Sequence, residues 1–156
     1  MLKTVRVRAI AITAILAMGA TSAACGGGDD SKPDAKPDKQ NGPTTALGAT
    51  EKEFVIALDK ASVPAGTVRV TSTNNGTVPH ELVAFRTDLP VDKLPLKDGN
   101  VDEDGDGVTH MDPEAEDIKP GSSKSITLHL SAGRYVFICN VPGHYAGGMH
   151  TELTVS

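Results

Sequence analysis

Arg134-Tyr-Val-Phe-Ile-Cys-Asn-Val-Pro-Gly-His-Tyr-Ala-Gly-Gly-Met-His-Thr-Glu-Leu-Thr-Val-Ser156 is the stretch from which the rest of the chain is read. It predicts a β-strand, a short loop carrying donor side chains, and a second β-strand. Cys139, His144 and Met149 are spaced Cys-x4-His-x4-Met. A thiolate, an imidazole and a thioether held together make a soft site, and softness favours copper in particular. Such a site needs a further imidazole from elsewhere in the chain, and His80 can supply it. Pro142-Gly143 turns the loop back over the site, and Gly147-Gly148 let the backbone pass close to it.

The cysteine count sharpens this reading. The chain has two cysteines, Cys25 and Cys139. Met1 to Ala24 resembles an export signal: Lys3, Arg6 and Arg8 are followed by an apolar run, Ala9 to Ala20, that is too short to span a bilayer comfortably. Ala23-Ala24-Cys25-Gly26 then resembles the lipobox of bacterial lipoproteins, which predicts lipidation of Cys25, although Ser22 stands where that motif usually has Leu. Ordinary cleavage at an Ala-x-Ala-like site is the alternative. Exported proteins normally pair their cysteines. A lipidated Cys25 leaves Cys139 without a partner, so Cys139 is an inert buried thiol, an intermolecular link or a metal ligand. The His and Met just downstream favour the ligand.

Net charge narrows the partners. It is −5 for the whole chain and −8 once the three basic residues of 1–24 are removed. An acidic exported domain argues against nucleic acid and against direct binding to anionic lipid, and it favours basic partners. Residues 25–50 are rich in Gly, Asp, Lys and Pro and predict a disordered tether. The folded domain is therefore expected over 51–156.

Period-two alternation begins near Glu53, with Phe54, Ile56 and Leu58 expected inward. Val68 and Val70 mark the inward face of a second strand, which ends at Asn74-Asn75-Gly76. Val78 to Phe85 forms a third, with His80 at its start just after Pro79. Ile126, Leu128 and Leu130 point inward from a fourth, leaving His129 outward. Arg134 to Cys139 and Met149 to Val155 make six strands. Alternation along the last one turns His150 away from the site. Short alternating strands without a long helix predict an all-β antiparallel sandwich.

Residues 88–120 form an irregular acidic insert with room for a short helix or a hidden strand. Asp102-x-Asp104-x-Asp106-Gly107 imitates the start of a calcium loop, but Pro113 occupies the twelfth position, where a bidentate Glu belongs. A solvated acidic loop is the preferred reading, with a docking role for basic partners open. His110 reads as a surface residue.

Cys139-x4-His144-x4-Met149, with Asn140-x-Pro142-Gly143 inside it and Asn74-Asn75-Gly76-x-x-x-His80-Glu81-Leu82-Val83 upstream, resembles the cupredoxins, in particular their rusticyanin and sulfocyanin branch. The likeness covers about residues 53–156. It implies a Greek-key β-sandwich and one type 1 copper held by His80, Cys139, His144 and Met149, with Met149 axial. It further implies an electron carrier that is not an enzyme, and the N-terminal signal and Cys25 motif place that carrier at the cell envelope, anchored through Cys25 or otherwise secreted or periplasmic. Its partner is expected to be a basic-surfaced cytochrome or oxidase, and its state a monomer. The competing class is an envelope protein for copper storage or delivery. A binuclear copper centre needs a second Cys near Cys139, and Gly143 stands in that neighbourhood.

Overall fold

The computed structural model describes residues 42–156. The export signal, Cys25 and residues 25–41 of the expected tether lie outside the described residues. Among those described there are eleven strands and no helix: β1 (Thr45–Lys52), β2 (Val55–Leu58), β3 (Ser62–Val63), β4 (Gly66–Asn74), β5 (His80–Thr87), β6 (Leu96–Lys97), β7 (Asn100–Val101), β8 (Val108–Ile118), β9 (Ser123–Leu130), β10 (Gly133–Ile138) and β11 (His150–Val155).

Two sheets carry the fold, in the orders β2-β1-β4-β9 and β3-β11-β10-β5-β8, and β6-β7 form a small ribbon. Their facing sides meet in one apolar core. Leu47, Val68, Val70, Ile126 and Leu128 come from the first sheet, and Leu82, Ala84, Ile118, Phe137 and Leu153 from the second. The inward positions read from alternation in β4 and β9 are buried as expected.

The structure corrects several expectations. Residues 45–50 are not tether: they form most of β1, which pairs parallel with β4 from Thr45↔Val68 to Glu51↔Asn74. Leu47 and Ala49 alternate into the core, and this burial draws a segment otherwise poor in large apolar residues into the sheet. The sandwich is mixed rather than wholly antiparallel, because β1–β4 and β3–β11 run parallel. Phe54 is not inward. Glu53 and Phe54 form the turn between β1 and β2, which breaks the alternation and leaves Phe54 half exposed, while Ile56 is buried.

The insert is not simply a solvated loop. It carries β6, β7 and β8, and the eleven residues of β8 form the edge strand beside β5. Asp104 and Asp106 lie exposed in the turn between β7 and β8, where Gly105 N–H donates to Asp102 C=O at 3.0 Å. The insert also covers the outer face of the second sheet, where Leu94 and Val101 pack with Val83, Phe85, Val136, Ile138 and Tyr145 in a second buried cluster.

Candidate metal centre

One end of the sandwich gathers the donor side chains. His80 is the first residue of β5, and Cys139 follows the last residue of β10. The loop from Cys139 to Met149 folds on itself through backbone bonds. His144 N–H donates to Val141 C=O at 2.9 Å, Met149 N–H to His144 C=O at 3.0 Å, and Cys139 N–H to Met149 C=O at 3.1 Å. Gly143 adopts a φ of 84°, in the left-handed region that favours glycine. Gly147 has no room for a side chain, because a Cβ there would strike the Phe54 ring.

The turn before His80 is equally braced. Buried Asn74 donates through Nδ2 to Val78 C=O at 2.8 Å and to Ile118 C=O at 2.7 Å, and its Oδ1 accepts from Gly76 N–H at 2.7 Å. The insert holds the ligand loop from the other side. Tyr145 Oη accepts from Leu94 N–H and donates to Val91 C=O, both at 3.0 Å. Asn140 pairs with the backbone of Val101 and donates to Glu103 Oε1 at 2.9 Å.

His80 Nδ1 and His144 Nδ1 lie 3.2 Å apart, and Cys139 Sγ is 3.2 Å from the His144 nitrogen and 3.8 Å from that of His80. An ion bound at about 2.0–2.3 Å sets its donors roughly 3.3–3.8 Å apart. The three side chains therefore already stand at ligand spacing, with one nitrogen of each imidazole turned to the sulfur. Beyond the last β5–β10 pair, Ile138↔Val83, Glu81 N–H donates to Sγ at 3.4 Å. Backbone donation of this kind stabilises sulfur in its anionic, ligating form.

Burial dominates the electrostatics. His80, Cys139 and Met149 are inaccessible, and His144 alone of the four reaches the surface in part. Burial pushes the metal-free Cys139 thiol up to about 11, against the pull of the Glu81 and Val141 N–H groups. It also lowers His80, as does the neighbouring His144. A metal must therefore displace the thiol proton on binding.

Of the residues singled out in the sequence, His80, Cys139 and His144 come together in space. Met149 is buried in the same core and tied to Cys139 and His144 through its backbone. His150 packs on the Tyr145 ring at 5.3 Å between centroids, apart from the trio, and His129 is exposed and lies 3.2 Å from Thr67 Oγ1.

His110 departs from the surface role expected of it. It is half-buried against Phe85, with Nδ1 3.8 Å from Glu103 and Nε2 3.6 Å from Glu114. Burial, then the charges of Glu114, Glu103 and Glu116, push Glu81 up to about 7. No spacing in the sequence signals this acidic face, which exists because β8 pairs with β5.

Comparison with known proteins points the same way. The family model of copper binding proteins of the plastocyanin/azurin family matches residues 43–156. The chain belongs to that family. This cupredoxin is 34% identical to sulfocyanin from Sulfolobus acidocaldarius over 98 residues, 60% of this chain and 49% of that one. It is 43% identical to the copper-resistant cuproprotein CopI of Pseudomonas aeruginosa over 49 residues, 31% of this chain and 27% of the other. It thus spans half or less of these relatives' length. The dithionite-reduced auracyanin of Roseiflexus castenholzii superposes with a TM-score of 0.50 at 30% identity, covering 72% of this chain and 96% of that one. The cupredoxin binds one copper per chain, and the fold and donor set agree with that cofactor.

Proposed function

We propose that this cupredoxin carries single electrons between redox partners at the cell envelope, and that His80, Cys139, His144 and Met149 would hold its copper. The observation that carries the reading is the convergence of two imidazole nitrogens and a buried thiol at one end of the sandwich, beside a loop held by backbone and insert hydrogen bonds. Copper bound there supplies a one-electron couple between Cu(II) and Cu(I). The chain's own part is to hold the donors still. Asn74 fixes the turn before His80, and the closed loop fixes Cys139 and His144, so neither oxidation state demands a new backbone arrangement. A thioether beside two imidazoles and a thiolate suits both states.

His144 is the exit for the electron, because it alone joins the buried site to the surface. Exposed Phe54 meets its ring edge-on at 5.8 Å, and Pro142 and Ala146 are exposed beside it, giving a mildly apolar rim for brief docking. The acidic face of Glu81, Glu103, Glu114 and Glu116 suits a basic cytochrome or oxidase. The basic and apolar N-terminal run and the Cys25 motif support export, with the chain held at the outer face of the membrane by lipid or released as a periplasmic or secreted protein. In this role the chain turns over no substrate and acts as a monomer.

The partial likeness to a copper-resistant cuproprotein supports a second reading, copper storage or delivery at the envelope. Two measurements separate them. The Cu(II)-loaded protein should show an intense blue band, bleached by ascorbate and absent from Cys139→Ser, with copper exchange slow against reduction. A weakly coloured protein that binds Cu(I) and releases it readily favours delivery. A protein that binds no copper overturns both.

A further inference from the structure

The His80 ring is fully buried, and its two nitrogens face different surroundings. Nδ1 looks toward Cys139 Sγ and His144 Nδ1. Nε2, on the other side, is buried and has no hydrogen-bond partner. A neutral imidazole that gives one nitrogen to a metal carries its proton on the other, and a buried N–H left unpaired is costly. The group facing this nitrogen is the Glu53 carboxylate, whose Oε1 stands 3.8 Å away. That gap is about 1 Å longer than an N–H···O bond.

Glu53 is not a passing surface side chain. Its Oε1 accepts from the N–H groups of Thr77 and Val78, the latter at 3.0 Å, and from Thr77 Oγ1 at 3.2 Å. The carboxylate is thus built into the turn that delivers His80. Gly76 packs so closely on it that a side chain there would collide with the Glu53 carboxyl. The adjoining residue, Phe54, meets the His144 ring. The two-residue turn between β1 and β2 therefore backs both imidazoles of the site.

We propose that Glu53 is a positioning residue for the copper centre: its carboxylate accepts the Nε2–H of His80 and so fixes the tautomer and ring orientation that present Nδ1 to the metal. Partners behind metal-bound imidazoles act this way in general. The inference rests on the reading of His80 as a copper ligand.

The test uses the full-length Cu(I)-loaded protein, which is diamagnetic, and Glu53→Gln, which keeps the shape of the side chain while removing its charge. Nitrogen-15 NMR should show the His80 Nε2 proton in slow exchange with water. A charge-assisted bond is roughly twice as strong as a neutral one, so E53Q should speed that exchange by about tenfold. The reduction potential should rise, because a negative charge beside a ligand is gone. Thr77→Ala removes one contact that braces the turn and leaves the carboxylate in place, so it should change neither readout. A blue wild-type protein without a protected Nε2 proton, or one in which E53Q leaves exchange and potential unchanged, overturns the role of Glu53. Equal changes in T77A and E53Q overturn it too, because bracing of the turn would then be the whole effect. A wild-type protein that is neither blue nor able to bind Cu(I) overturns the ligand reading itself, a distinct result.

Discussion

Replacing Glu51 with glutamine should stabilise the metal-free protein at neutral and alkaline pH, with a benefit that shrinks in acid. Glu51 lies in β1 with 0% of its surface exposed. Its Oε1 accepts the Ser72 hydroxyl at 2.5 Å, and its Oε2 is buried with no partner. Burial pushes the carboxyl from 4.5 to about 7, the Ser72 hydroxyl opposes the rise, and the nearby Glu81 charge adds to it.

That rise converts to about 3 kcal/mol at about 1.4 kcal/mol per pKa unit. Its sign follows from which state holds the proton more tightly. Below about 4.5 both folded and unfolded chains are protonated at this position, and the group contributes no pH dependence. Between 4.5 and about 7 the unfolded chain gives up its proton while the folded one keeps it, so stability falls as pH rises. Above 7 both are ionised and the full penalty stays. Glutamine has no proton to lose. Urea unfolding of wild-type and E51Q protein, taken from pH 4 to pH 9, should give a stability difference that grows by about 3 kcal/mol across that range in favour of the variant. Glu81 is also pushed up to about 7 and titrates in the same window; its repulsion with Glu51 is lost in E51Q, which adds to the benefit of the variant in the same direction. Parallel stability curves would refute the reasoning and show that water reaches the Glu51 carboxylate.

Further outcomes follow from single side chains. Leu47→Ala should cost about 2–5 kcal/mol in urea unfolding if β1 belongs to the core, whereas a tether residue would cost nothing measurable. Tyr145→Phe should cost roughly 1–3 kcal/mol in the same assay, because it strands the buried Leu94 N–H and frees Val91 C=O. Ala146→Glu, on the exposed rim beside His144, should slow electron transfer to a partner protein in stopped-flow mixing and leave the blue band intact; unchanged rates would argue against exit through His144.

The convergence of Cys139 and His144 with His80 was legible in the sequence because the loop's donor types sit close together and their chemistry is specific. Cys139, His144 and Met149 fall in a single loop, and only His80 had to be sought at a distance. β4 and β9 were legible because Val68 and Val70, and Ile126, Leu128 and Leu130, alternate cleanly. β1 was not, because Leu47 is its one large apolar residue and its pairing with β4 is long-range. Phe54 was misplaced because alternation was carried through a turn that interrupts it. β8 hid behind composition. An edge strand with one face to solvent needs few apolar residues, and Ala115 and Ile118 are the buried ones here. Glu53 belongs to no motif: a carboxylate supporting a ligand from behind is defined by position in space alone.

One signal in the sequence does account for the insert. Leu82-Val83-Ala84-Phe85 and Tyr135-Val136-Phe137-Ile138 are continuous apolar runs, not alternating ones. A strand that is apolar on both faces must be covered on both faces. The sandwich core covers Leu82, Ala84, Tyr135 and Phe137, and the cluster formed with the insert covers Val83, Phe85, Val136 and Ile138. The acidic segment is thus apolar where it meets β5 and β10 and charged where it meets water. The same cover reaches the ligand loop through Tyr145 and Asn140. Electron transfer through a bound copper, the function proposed above, gains from ligands that stay in place when the charge of the metal changes. The insert supplies part of that restraint, so its loosening should be felt first as a less rigid metal centre and only then as a lost fold.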